Sequence, residues 1–119
     1  MSMGVREAQS AVGAARIALT SSEDGDATRA LAETMVDEAG VRMSSASSQA
    51  SAFKPTDRRT TAQLEAVTQA LGDADTAIRH ASEALAGHPG APSIHSALDE
   101  LKQSADDLDR LAGKLEPPR

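Results

Sequence analysis

Four stretches of the chain place apolar residues at alternating steps of three and four, the spacing that lines one face of a helix. The first runs through Val5, Ala8, Val12, Ala15 and Leu19, and the second through Ala32, Val36, Ala39, Met43, Ala46, Ala50 and Phe53, with Leu31 and Met35 beside it. The third is Leu64, Val67, Leu71, Ala74, Ile78, Ala81 and Leu85; the fourth is Ile94, Leu98, Leu101, Ala105, Leu108, Ala112 and Leu115, widened by Leu111. A half-buried strand would alternate at every second position, and none of the four does so. The spacing predicts helices near 3–20, 26–53, 60–86 and 93–115, followed by a short tail, 116–119.

The residues between these stretches supply stop and start chemistry. Gly25 is suited to a left-handed turn and Asp26 to capping the second helix. Pro55 removes a backbone donor and disfavours helix at Lys54, which ends that helix. Thr60 with Gln63 matches a capping box for the third, and Ser93 follows the Gly87, Pro89, Gly90, Pro92 run as a cap for the fourth. Connections this short leave no room for crossovers, so successive helices should run antiparallel. The expected fold is all-α: a single domain over 1–119 forming an Ala-rich, up-down-up-down four-helix bundle with coiled-coil-like seams. Its expected core seam is Val12, Val36, Met43, Phe53, Leu64, Val67, Leu71, Ile78, Leu85, Leu98, Leu101, Leu108 and Leu115.

Composition sharpens this picture. The chain has 119 residues, 24 of them alanine, and Leu, Ile, Val and Phe together number only 19. Alanine facing a bulkier partner lets helix axes approach closely, but it contributes little apolar area, so a core of this kind gains from association. A protein partner is therefore expected, either a second copy or another helix. Net charge is -6, which repels phosphate backbones and argues against nucleic acid as a partner. Arg6 and Glu7 interrupt the amino-terminal stretch and Arg16 ends the Ala11 to Ala15 run, so neither a signal peptide nor a membrane span is read there and cytoplasmic residence is expected. Arg outnumbers Lys nine to three and Asn is absent, a usage that suggests a bacterial, GC-rich source.

Reactive chemistry is sparse. With no cysteine, disulfides, Cys-based zinc sites and thiol nucleophiles are excluded. His80, His88 and His95 form no Glu-x-x-His or His-Glu-x-x-His pattern, and the serines form no Gly-x-Ser-x-Gly elbow. Neither a dinucleotide fingerprint nor a phosphate loop is present. No catalytic, metal or cofactor residue is assigned, and a non-enzymatic role is expected. Charged residues one turn apart, Glu38 with Arg42, Asp75 with Arg79, His95 with Asp99 and Asp106 with Arg110, read as solvated helix faces. The uncharged Ser44 to Ser51 stretch reads as a polar face of the second helix. One basic patch stands out: Lys54, Arg58 and Arg59 surround a helix start, where free backbone donors could face an anion or an acidic partner.

An Ala-rich pair of antiparallel helices in a chain of this length resembles, in general shape, the helical-hairpin proteins of the WXG100 type that leave some bacteria through type VII secretion. The Trp-x-Gly motif is absent, with Phe53-Lys54-Pro55-Thr56 in its place, and the terminal Tyr motif is absent because the chain has no tyrosine. What the shape alone implies is an exported or chaperoned helical protein, independent of a signal peptide. That stands beside the leading expectation, a non-catalytic interaction or assembly module able to self-associate, and a third, an anion- or metal-responsive regulator.

Overall fold

The computed structural model describes residues 2–25, 28–87 and 89–115. Asp26, His88 and the tail 116–119, which carry expectations given above, lie outside the described residues. Four helices make up the fold: α1 (Ser2–Glu23), α2 (Arg29–Ala52), α3 (Arg58–Ala86) and α4 (Ile94–Leu115). No strand occurs among the described residues, as the three-four spacing predicts. At a rise of about 1.5 Å per residue the 29 residues of α3 span roughly 44 Å, which accounts for most of the 48 Å long axis of the molecule.

The helix ends obey local chemistry, with two departures from expectation. Thr28 rather than Asp26 caps α2: its backbone is extended and its side chain accepts from the Leu31 N–H at 3.2 Å. Asp57 rather than Thr60 caps α3, because Oδ1 accepts from the Thr60 N–H at 2.7 Å; the helix begins one turn early and draws Thr60 into its first turn. Ser93 caps α4 as expected, accepting from the Ser96 N–H at 3.0 Å. Gly87 closes α3 in a left-handed conformation, φ 69°, and its N–H donates to the Glu83 carbonyl.

Consecutive helices pack side by side and antiparallel, and α4 returns to α1 to close the bundle. The cross-section is a rhombus: α1 and α3 touch across the short diagonal, whereas α2 and α4 occupy opposite corners without contact. Of the 24 buried apolar residues, 13 are alanine, so axes come close where alanine lines both sides. α1 and α2 come close at Gly4, which is buried and where a Cβ would lie 3.3 Å from the Ala46 carbonyl oxygen.

Within this frame Val12, Val36, Met43, Val67, Leu71, Ile78, Leu85, Leu101 and Leu108 are buried. Leu64, Leu98 and Leu115 are partly buried at the edge of the core. Phe53 does not plug the end of its seam. It follows the last turn of α2 with an extended backbone, φ -75° and ψ 131°, which swings its ring away from the seam and leaves it 37% exposed. On α4 the buried positions are Ala97, Leu101, Ser104 and Leu108, so a serine stands where Ala105 was expected, and Ala105 moves to the edge. Both runs keep three-four spacing and share Leu101 and Leu108; the buried one turns Ala97 and Ser104 inward and leaves Leu98 and Ala105 partly exposed.

Candidate functional site

Three places carry the sequence expectations or the unexplained features of the surface: the 53–57 turn, the α3/α4 flank with its histidines, and the outward face of α1 and α2.

At the turn, Lys54, Arg58 and Arg59 are all exposed, beside a shallow groove of about 490 Å³ lined by Pro55, Thr56, Asp57, Arg58, Thr61, Ala62 and Glu65. The helix start there is already occupied. Asp57 takes the Thr60 N–H, and its main-chain carbonyl accepts from the Thr61 hydroxyl at 2.8 Å. The backbone and side-chain hydrogen bonds from Thr60, helped by nearby Arg59, hold the Asp57 carboxyl below the usual aspartate value. A carboxylate therefore sits where an incoming anion would bind, and the basic side chains face a charge that the chain itself supplies.

The histidines fall apart as a group. His80 on α3 meets Glu100 on α4, with Nδ1 2.9 and 2.8 Å from the two carboxylate oxygens, in a part-buried contact. His95 pairs with Asp99 at 3.6 Å on an exposed face. Among the described residues no set of three His, Cys, Asp or Glu converges as a metal ligand shell. Of the other expected pairs, Asp75 with Arg79 forms at 3.5 Å. Arg110 instead meets Asp107, three residues back, at 2.9 Å, and Arg42 reaches across to Ser10 of α1 at 3.5 Å rather than to Glu38.

The outward face of the first two helices is different in kind. Ile17 is 60%, Leu31 52% and Val41 71% exposed; with Phe53 these are the exposed large apolar side chains among the described residues, and all belong to α1, α2 or the residue that ends α2. Gly4 lies against Ala46, and Arg42 reaches Ser10, so the register is antiparallel and Ile17 comes level with the Met35 turn, with Leu31 one turn further toward the 24–28 connection. On α2 itself a second three-four row, Ala30, Thr34, Asp37, Val41, Ser44 and Ser48, runs opposite the buried row and is exposed throughout. Its hydroxyls are partly spent inside the helix: Thr34 Oγ1 donates to the Ala30 carbonyl at 3.0 Å and Ser44 Oγ to the Gly40 carbonyl at 3.3 Å. The row that reads as polar in sequence thus carries exposed Val41 between Asp37 and Ser44.

Two contacts escaped sequence reasoning. His80 and Glu100 lie ten residues either side of Gly90, so a tight hairpin brings them level; that symmetry was the available signal. Gln9 donates to Asp109 at 2.7 Å, tying α1 to α4, and nothing in either segment announces it. Comparison with protein families, with curated proteins and with solved structures found no match to this chain. No helix among the described residues is long and apolar enough to cross a membrane.

Proposed function

We propose that this chain is a non-catalytic helical interaction module that docks a partner helix, a second copy of the chain in the first instance, on the outward face of α1 and α2. One observation carries the reading: every exposed large aliphatic side chain described belongs to this hairpin, and Val41 stands at the centre of a small-residue row opposite the core. Exposed aliphatics scattered over a surface need no explanation, but their confinement to one hairpin favours contact with a partner helix there. The weak charge of the Ser44 to Ser51 stretch lowers the desolvation cost of covering it.

Light scattering coupled to size exclusion, with concentration read by refractive index because the chain has no Trp or Tyr, tests the proposal. The chain should run above its monomer mass of 12.3 kDa. Val41→Asp combined with Ile17→Asp should return it to monomer while the helical circular dichroism signal is kept. A monomer at all concentrations, or an oligomer indifferent to both substitutions, overturns the reading.

A further inference from the structure

Between α3 and α4 a groove of about 250 Å³ is lined by Asp73, Thr76, Glu100, Gln103, Ser104 and Asp107. We infer that this groove binds a primary ammonium group carried on an alkyl chain. The inference is independent of the α1/α2 reading and rests on other residues.

Ser104 is the first reason. It occupies the buried row of α4 between Leu101 and Leu108 and is only 6% exposed, yet its hydroxyl takes part in none of the hydrogen bonds of the described side chains. Thr76, across the groove on α3, instead donates to the Gly72 carbonyl four residues back at 3.1 Å. Among the described residues no fully enclosed side-chain oxygen or nitrogen lacks a partner, so the Ser104 oxygen must open into the groove that it lines. A half-sequestered hydroxyl without a partner costs stability unless something bonds to it.

Charge is the second reason. Three carboxylates border the groove, and their protein partners only partly offset them. Asp107 accepts from Gln103 at 3.2 Å and pairs with Arg110 at 2.9 Å. Asp73 accepts only a neutral amide, from Gln69 at 3.2 Å, and Glu100 has the His80 imidazole. Arg79, not itself in the lining, donates to the hydroxyl of lining Thr76 at 3.2 Å and pairs with Asp75. The groove is therefore an acceptor-rich, negative slot with one orphan hydroxyl at its floor.

Geometry selects the ligand class. These carboxylates do not converge as three ligands on one ion, which disfavours a directly bound metal. An ammonium group carries its own three directed protons and can bond acceptors that are spread around it, while its alkyl chain lies along the helix stems. A polyamine and a lysine side chain of a partner share this chemistry.

Titration of the isotope-labelled full chain, followed by amide NMR at fixed ionic strength, tests the inference. The probes are 1,4-diaminobutane, Nα-acetyl-lysine amide and, as a charge-matched control without N–H donors, tetramethylammonium. The first two should give saturable shifts centred on Asp73, Thr76, Gln103, Ser104 and Asp107, and the control should not. Tighter binding of the diamine assigns a free polyamine, and equal or tighter binding of the lysine derivative assigns a protein side chain. Asp73→Asn and Glu100→Gln should each weaken binding about tenfold, Ser104→Ala about threefold, and Asp37→Asn on the far side of the bundle not at all. Asp73 is exposed, so its variant keeps the fold even if Glu100→Gln disturbs the His80 contact. Shifts that never saturate, a matching response to tetramethylammonium, or equal effects of Asp37→Asn and Asp73→Asn would overturn it.

Discussion

The two hairpins of this bundle solve the same packing problem with small and large residues in different proportion. In α1 and α2 the buried row is mostly alanine, with Leu19 and Met43 as its largest members, and Gly4 lets the backbones come within reach of each other. In α3 and α4 Val67 and buried alanines are joined by Leu71, Ile78, Leu85, Leu101 and Leu108, edged by Leu64, Ile94, Leu98, Leu111 and Leu115. All four ion pairs of the described residues also lie on the second hairpin, and all the exposed large apolar side chains lie on or at the end of the first. The first hairpin leans on proximity and the second on volume, and with that difference go an apolar exposed surface on the first and a charged one on the second.

The contrast is broken most forcefully by removing volume where volume holds. Leu71→Ala, at a nearly inaccessible site, should cost ~2–5 kcal/mol in urea unfolding. Adding volume where proximity holds should act in the same direction: Gly4→Leu, at a buried position where a Cβ would already lie 3.3 Å from the Ala46 carbonyl oxygen, should cost ~1–3 kcal/mol by forcing the first hairpin apart. If Gly4→Leu proved neutral, the close approach of α1 and α2 would not be what holds them.

The charged contacts sharpen the comparison at lower amplitude. His80 and Glu100 are 40% and 36% exposed, so His80→Ala should cost under ~1 kcal/mol after screening by solvent, read as a shift in the urea midpoint with unchanged slope. The smallest effect belongs to Asp57. Its carboxyl is held below the ordinary value in the folded chain, so its contribution is complete above the ordinary aspartate range and is lost as pH falls through the lowered folded value. The first turn of α3 should then exchange its amide hydrogens faster, and Asp57→Asn, which keeps a capping oxygen but does not titrate, should remove that pH dependence.

Helix number, order and approximate bounds were legible because periodicity and turn residues are local signals, read twice over at Pro55, Gly87 and Ser93. Caps were less so. Thr28 and Asp57 each compete with a chemically equivalent neighbour, and a few tenths of a kcal/mol in local geometry decides between them. The choice of Ser104 over Ala105 was hidden for a related reason: both rows have the right period, and only the partner helix decides which one faces inward. The outward row on α2 was masked by its own hydroxyls, whose retreat to carbonyls one turn back is invisible in composition. Pairs between helices, such as Gln9 with Asp109, depend on rotation of each rod about its axis, which no single segment encodes.

The rhombic cross-section sets an order of opening. Because α1 and α3 meet across the short diagonal, either corner helix can depart and leave a contiguous trio behind. Departure of α4 would bare its own Leu101 and Leu108, whereas departure of α2 would bare, of its own residues, four alanines with Val36 and Met43. The latch of this molecule is therefore α2, the same rod that carries the proposed docking face, and a visitor bound there would weigh directly on whether the latch stays shut.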